Sequence, residues 1–415
     1  MNQPHTIVIG GGIVGVCAAY FLAKRGAPVT LLEQDVVDDS ASTGNAGLVS
    51  IGHAPIPRPG LTWQAVKWMF SSTSPIYIKP RLDLDLLRWF WAFRNACSAD
   101  RLKYNMGVLT EHGWPAGECW RRLIDEERLA CEYRLTGQMD VYRTEAGMRA
   151  GIEDAEMMRG YGYEAEVLDG DELRAREPAF RDDVVGAINF PQRAIADPQA
   201  FMVEMADRAR KRGADLRTRT TVKELILSDG RCIGVDTIDN ERIQADNIVL
   251  AAGSWSTALA RRIGVKIPMQ PAKGYHLNLT KPTPCVDAGL VLAESYVAVL
   301  PLSGTLRLAG TLELSGINRT LRRDRVDMLR LGARKYLRNI DQTRTLSQWC
   351  GLRPCAADGL PIIGWAPKVG NLFIATGHAM LGFTLGPLAG RLASECILDG
   401  RPSADISAMA PDRFR

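Results

Sequence analysis

The stretch HTIVIGGGIVGVCAAYFLAKRGAPVTLLEQD, residues 5–35, decides the architecture of this chain. Thr6 to Ile9 is a short apolar, β-branched run, the composition of a strand buried on both faces of a parallel sheet. Gly10, Gly12 and Gly15 follow at the spacing G-x-G-x-x-G, with Ile13 and Val14 between the last two. Val16 to Lys24 reads as a small-residue helix, and Pro28 to Leu32 as a second strand that runs into Glu33 and Gln34. Gly10 permits a tight turn, Gly12 lets a pyrophosphate approach the backbone, and Gly15 lets the helix pack closely on the strand. The start of the helix offers free N–H groups and a positive dipole end to phosphates. Glu33 lies eighteen residues after Gly15, where a carboxylate accepts hydrogen bonds from ribose hydroxyls. Strand, glycines, helix, strand and acid in that order predict a dinucleotide site. The acid at 33 points away from a 2′-phosphate, and so from NADP.

The 415 residues are enough for two or three domains with a substantial core. A hydrophobic content of 46% with 24% charged residues is that of a soluble globular protein. The net charge of +4 is spread along the chain apart from a small basic cluster at Arg319 to Arg325. No interleaving of aromatic and basic residues suggests nucleic acid. Nine scattered cysteines without a C-x-x-C, and five histidines that do not cluster with them, predict no metal site. Free thiols without a recognisable signal peptide suggest a reducing cytoplasm. No window reaches an uninterrupted apolar span of about 20 residues, so no membrane-crossing helix is expected.

Beyond the first unit, Asp38 to Ser50 (DDSASTGNAGLVS) is too rich in small and polar residues for a regular element and suits close contact with a ligand. Helical periodicity covers about Asp83 to Glu127 and then Glu145 to Arg159, with a short helix at Asp169 to Arg176. This block is expected to form a separate lobe. Asp197 caps a helix that begins at Pro198 and runs to about Arg212. Strands follow at Asp215 to Val222, Val222 to Leu227, Cys232 to Asp236 and Asn247 to Ala251. Pro268 to Leu314 alternates like an antiparallel sheet, Val326 to Tyr336 is helical, and Leu372 to Ala375 opens into the long apolar helix Leu381 to Leu398. The fold class is therefore α/β (α+β overall): a Rossmann-like nucleotide domain in three segments with an inserted mixed domain of antiparallel sheet and helices. The expected boundaries put nucleotide-domain segments at 1–80, 195–265 and 346–415. The substrate domain takes 81–194 as its helical part and 266–345 as its sheet. Such interleaving suits a flavin enzyme better than a nicotinamide dehydrogenase, and no second G-x-G-x-x-G appears.

The sequence resembles the D-amino-acid oxidase-like flavoprotein superfamily over nearly its full length, and within it the D-amino-acid dehydrogenases. The resemblance rests on VIGGGIVG (8–15), STGNAGLVS (42–50), PAKGYHLNL (271–279), GLRPCAADGLPIIG (351–364) and ATGHAMLGFTLGP (375–387). It implies FAD, bound without a covalent link and extended, with its ring system between the two domains. Carried over, it places Ser42, Thr43, Asn45, Ala46, Gly47 and Leu48 along the flavin edge and Val222 at the adenine. Ala251, Gly253 and Trp255 fall on the nucleotide side. Gly377, His378, Leu381, Gly382, Phe383 and Thr384 fall near the pyrimidine ring of the flavin.

Oxidising an amine requires its Cα–H to be held against the flavin, and an arginine clamps a carboxylate with two parallel hydrogen bonds. Arg353, in G-L-R-P, resembles the family's carboxylate-binding arginine; otherwise it is a buried ion pair. Glycine oxidases carry a second arginine just after the G-H of the C-terminal motif. Met380 stands here instead, so Tyr275 is expected to supply the second carboxylate contact. His53 and His276 are the expected candidates for taking the amine proton, since histidine titrates near neutral pH. Glycines 382, 386 and 390 recur on one helix face, for a dipole aimed at the flavin or for tight packing. The aromatic stretch Trp63, Trp68, Phe70, Tyr77, Trp89, Phe90, Trp91 and Phe93 reads as core and pocket wall, or as peripheral contact with a membrane. The activity expected from the resemblance is oxidative deamination of a D-amino acid, or of a cyclic D-imino acid such as D-proline or 4-hydroxy-D-proline. Hydride leaves Cα for flavin N5 and the electrons pass to a respiratory-chain acceptor. The alternatives are an oxygen-dependent oxidase of the glycine or sarcosine type, and the FAD subunit of a hetero-oligomeric dehydrogenase.

Overall fold

The strand Thr6–Ile9 lies inside a six-stranded sheet with Asn247–Leu250 parallel on one side and Val29–Leu32 parallel on the other. The computed structural model describes residues 3–61, 74 and 76–414. Across this sheet the strand order is Ile362–Trp365, Leu372–Thr376, Asn247–Leu250, Thr6–Ile9, Val29–Leu32 and Asp215–Arg217. Only the Ile362–Trp365 edge is antiparallel to its neighbour. The first strand is buried on both faces because its alternate residues serve two cores. Val8 packs with the helices, while Ile7 and Ile9 pack beneath a three-stranded antiparallel sheet built from Val222–Ser228, Arg231–Thr237 and Arg242–Gln244.

Helix Ile13–Lys24 runs back over the sheet and meets helix Gly382–Leu398 along small residues. A Cβ on Gly386 would lie 2.7 Å from the Ile13 side chain, and one on Gly390 would lie 2.6 Å from the Ala18 backbone nitrogen. The small-residue face of that helix is therefore a packing seam. The long helix Ala99–Glu127, capped by Ser98, joins the same core through Val108, Leu109, Trp120 and Leu123. The Trp120 indole donates to the Phe383 and Thr384 carbonyls, both at 3.1 Å. This corrects the expectation of a separate helical lobe: most of that helix packs on the nucleotide fold.

A second, nine-stranded sheet faces the first. Its main path runs Thr345–Ala356, Met269–Leu279, Leu306–Leu314, Val297–Pro301, Gly289–Leu292, Gln138–Tyr142, Gly186–Phe190 and Glu166–Asp169, and Ile76–Ile78 pairs with Leu306–Leu314. Helices Arg323–Ala333 and Gly170–Arg176 cover its outer face. Two differences from the sequence reading matter for the site. Thr345–Ala356, expected in the third nucleotide segment, pairs along its whole length with Met269–Leu279 and carries Arg353 in this sheet. Residues 81–194, expected to be helical, contribute three of its strands.

Of the aromatic stretch, Trp63, Trp68 and Phe70 lie outside the described residues. In helix Leu84–Ala96, Trp89 is buried, stacks on Phe93 at 4.9 Å and donates to the Cys355 carbonyl at 2.9 Å. The opposite face exposes Leu84 (70%), Leu87 (61%) and Trp91 (65%). Among the described residues, no helix is long and apolar enough to cross a membrane.

Candidate active site

A cavity of about 890 Å³ separates the two sheets. The first strand delivers the glycine turn to its wall. Gly10 adopts φ +108°, and a Cβ there would meet the Ala251 carbonyl oxygen at 2.5 Å, so only glycine fits between the two strand ends. Gly12, Ile13 and Val14 line the cavity at the start of the helix, where no side chain caps Gly12. Ser42 Oγ accepts from the Ile13 N–H at 2.9 Å and ties the small-residue loop to that helix end. Glu33 lines the cavity with Gln34, and its carboxylate accepts from the Gly11 N–H at 2.5 Å and the Asp35 N–H at 2.9 Å. Val222, Ala251, Gly253 and Trp255 complete this side.

Asn45, Ala46 and Leu48 line the cavity together with His378, Leu381, Gly382, Phe383 and Thr384. Four expected contacts stand one layer back. Gly15 presses on the turn, where a Cβ would lie 1.9 Å from the Gly10 oxygen, in keeping with its packing role. The Thr43 hydroxyl turns to the Ser40 carbonyl at 2.8 Å. The Gly47 N–H is held by Asn45 Oδ1 at 2.9 Å, and Gly377 lies against Ile362. None of these four lines the cavity; each shapes the backbone around it.

The loop that carries Ser42 to Leu48 is held from the second sheet. Buried Arg307 donates to the Thr43 and Asn45 carbonyls at 3.2 and 2.8 Å, and burial pushes its guanidinium down to about 10. His276 Nδ1 pairs with the Gly44 carbonyl at 3.0 Å, while its ring stacks on Trp349 at 5.1 Å. Trp349 occupies the space where a Cβ on Gly44 or Gly351 would sit. His276 does not line the cavity. It is a positioning residue, which corrects its candidacy as the amine's base.

Arg353 lines the cavity and is half-buried. Its side chain crosses the neighbouring strand over Gly274, where a Cβ would lie 2.2 Å from Nη1, and Nη1 donates to the Thr311 carbonyl at 2.8 Å. No carboxylate lies within 4.0 Å of it among the described residues, and burial lowers its pKa. Tyr275 borders the same cavity, but its hydroxyl is turned away from Arg353. Residues alternate across a strand, so Gly274 faces Arg353 while the Tyr275 side chain points into the core beneath. Its hydroxyl donates to Glu313 at 2.8 Å, and Glu313 also pairs with buried Lys273 at 3.0 Å. The expected carboxylate contact from Tyr275 is corrected on that ground.

His53 lines the cavity, with Nδ1 bonded to the Ala54 carbonyl at 2.6 Å. Burial first, then Arg193 and Arg58, push it down to about 4, so it is neutral at physiological pH. His378 is likewise pushed down to about 4 by burial, and its Nε2 has no partner in the protein.

Sequence reasoning missed a polar wall at the far side from the glycine turn. Gln138, Asp140 and Tyr142, alternate residues of one strand, all line the cavity. Gln138 Nε2 donates to Asp140 Oδ1 at 3.1 Å, and Ser50 Oγ donates to Gln138 Oε1. Arg193 is buried nearby, donating to the Ile51 and Gly52 carbonyls. The period-two pattern of QMDVY was the available signal, obscured by helical periodicity on both sides. Arg319 was also missed: it lines the cavity and bridges Asp35 (2.8 Å) and Asp39 (2.7 Å).

The lining fits an extended dinucleotide. Two helix starts, at Ile13 and Gly382, open on one cavity, and the unpartnered buried atoms Ser254 Oγ and His378 Nε2 belong to residues of the same lining. A family model described as "FAD dependent oxidoreductase" (DAO) matches residues 5–396. A D-amino acid dehydrogenase of Rhizobium johnstonii is 33% identical to this chain, covering 98% of it and 99% of the relative. One from Methylobacterium radiotolerans is 32% identical, covering 99% of each. Among solved structures, glycine oxidase from Geobacillus kaustophilus superposes with a TM-score of 0.79 at 22% identity, covering 99% of this chain and 98% of that one.

Proposed function

Since the chain belongs to the family of FAD-dependent oxidoreductases, we propose that it oxidises the Cα–N bond of a D-amino acid, cyclic D-imino acids included. One observation carries this reading: Arg353 is a half-buried guanidinium with no acidic partner among the described residues, facing the cavity that also receives both helix starts. A guanidinium drawn partly out of water without a counter-ion is ready for an anion, and a substrate carboxylate supplies the missing charge with fork geometry. FAD, when bound there, would supply the two-electron acceptor for the hydride that leaves Cα.

The chain's own residues do the rest. The glycine turn, Ser42 and the start of helix Ile13–Lys24 hold the pyrophosphate, and Glu33 holds the ribose. Val222 and Trp255 flank the adenine. The loop at Ser42 to Leu48 and the backbone N–H groups at Gly382 to Thr384 border the ring system. Arg353 fixes the substrate carboxylate. His53 stays uncharged beside the reacting amine, so the amine enters neutral or releases its proton to solvent. The nucleotide domain comprises the three separated segments of the sequence reading, with the third beginning after Ala356 and Thr345–Ala356 assigned to the substrate domain.

Electrons pass to a respiratory-chain acceptor, and the exposed face of helix Leu84–Ala96 rests on the cytoplasmic membrane surface. The 33% relative named as a dehydrogenase supports an acceptor other than oxygen. The test is turnover of D- and L-alanine with an artificial dye acceptor, with peroxide measured under air. Oxidation of the D-form alone, giving a 2-oxo acid and ammonia without peroxide, is expected. Peroxide at the rate of turnover would make it an oxidase. Inactivity of a monodisperse, flavin-loaded chain would point to a missing partner subunit.

A further inference from the structure

The polar wall opposite the glycine turn stands at one end of a trough that begins at Arg353. Cross-strand register places Ala309 beside Ala298, Ala298 beside Val291 and Val291 beside Asp140, and all four line the cavity. The Arg353 guanidinium rests on Thr311, two residues along from Ala309. The trough floor is thus made of small side chains, with a cation at one end and a carboxylate at the other. Three strand spacings of about 4.8 Å separate the strands of Thr311 and Asp140, roughly 14 Å in all. With both side chains leaning inward, that span suits an amino acid with a side chain of several atoms.

Asp140 is held for a purpose that no protein contact satisfies. Oδ1 is occupied by Gln138, which is itself fixed by Ser50, while Oδ2 has no hydrogen-bond donor among the described residues. Asp140 is half-buried on the cavity wall, so Oδ2 is open to accept a hydrogen bond from a ligand that enters. The charges facing it balance: Arg193 offsets Asp140, and Arg58 pairs with Asp154 at 2.8 Å. His53 is neutral. The wall therefore has no surplus negative charge for a cationic side chain, and it offers an acceptor to an uncharged donor.

We propose that Asp140 is a specificity-determining residue, accepting a hydrogen bond from a hydroxyl or carboxamide at the end of the side chain of a substrate whose carboxylate rests on Arg353. The inference builds on the D-amino-acid reading above and names the substrate class within it. The test compares kcat/KM for three D-amino acids of one length: 5-hydroxy-D-norvaline, D-norleucine and D-ornithine, ending in hydroxyl, methyl and ammonium. D-Glutamine supplies the carboxamide arm. In the wild-type flavoenzyme the hydroxyl compound is expected to exceed the methyl compound by about tenfold or more, because binding the methyl compound would leave the Asp140 oxygen without a donor. In Asp140→Leu the ratio should fall below one. Should that variant fail to retain flavin, Asp140→Ala reads the same ratio, and the wild-type ratio remains an independent test. A wild-type ratio near one, or one unmoved by the substitution, overturns the inference while leaving D-amino-acid oxidation standing. Preference for D-ornithine overturns the uncharged-donor assignment. Failure to oxidise any D-amino acid, D-alanine included, overturns the underlying reading and the inference with it.

Discussion

Arg353 is the residue on which the functional argument turns, and its surroundings make it a demanding test. Lysine would keep the charge but lose the planar fork. Arg353→Lys is expected to cost about 2–4 kcal/mol of substrate binding, a roughly 30- to 1,000-fold fall in kcat/KM, with flavin content unchanged. A variant that loses flavin in proportion to activity would instead make Arg353 structural. The motif around this arginine was legible in the sequence, because a resemblance carries residue type and order. Its neighbours were not: Tyr275 and Gly274 are adjacent in the chain, but strand alternation sends them to opposite faces. The same blindness applied to His276, whose ring supports Gly44 and Trp349 and does not face the cavity. Asp140 escaped notice because nothing in the sequence announces that its open oxygen faces a cavity lined by residues from distant segments.

Among the elements, strand Met269–Leu279 and its partner Thr345–Ala356 set the position of the clamp. Gly274 is required there by close approach: its Cβ would fall on the far end of the Arg353 side chain, which can move away. Gly274→Ala should therefore fold, keep FAD and raise KM for the substrate at least about tenfold, read by steady-state kinetics beside absorbance of the bound flavin. Unchanged KM would mean that the guanidinium does not need its present place. Helix Leu84–Ala96 makes a separate prediction. Its buried face anchors on Cys355 through Trp89, so the exposed Leu87 and Trp91 are free to change without loss of core. Replacing both by glutamate should abolish sedimentation with anionic vesicles and leave the dye-linked activity in solution intact; wild-type protein that stays in the supernatant would exclude the contact. Elements with uniform periodicity, such as Thr6–Ile9 and Pro198–Lys211, were read almost to the residue. Short strands enclosed by helices, such as Gln138–Tyr142, were lost to the stronger helical pattern on either side.

At the scale of the molecule, burying three neutral histidines leaves a signature in the pH dependence of stability. His53, His276 and His378 are each pushed down to about 4, against about 6.5 when unfolded. Above pH 6.5 neither state binds these protons and stability is flat. Between about 6.5 and 4 the unfolded chain takes up protons that the folded chain refuses, so stability falls as pH falls, by up to about 1.4 kcal/mol per pH unit for each histidine. Asp140 and Glu177, raised by burial, act in the opposite sense, so the net loss is smaller. Thermal unfolding of the flavin-loaded protein from pH 8 to 5 should show a plateau and then a drop; a flat profile to pH 5 would contradict the buried neutral histidines. The three-part nucleotide fold was legible because its first unit carries strand, glycines, helix and acid in one run. How the two sheets share the long helix Ala99–Glu127 was not, since its apolar stripe fits either domain and only Trp120 against Phe383 and Thr384 decides. The central claim is that this assembled cavity brings a D-amino acid to bound flavin. Its most direct test is anaerobic bleaching of the flavin absorbance by D- and L-alanine, added separately. Rapid loss of the yellow colour with the D-form and none with the L-form is predicted; reduction by neither, or by the L-form alone, would contradict it.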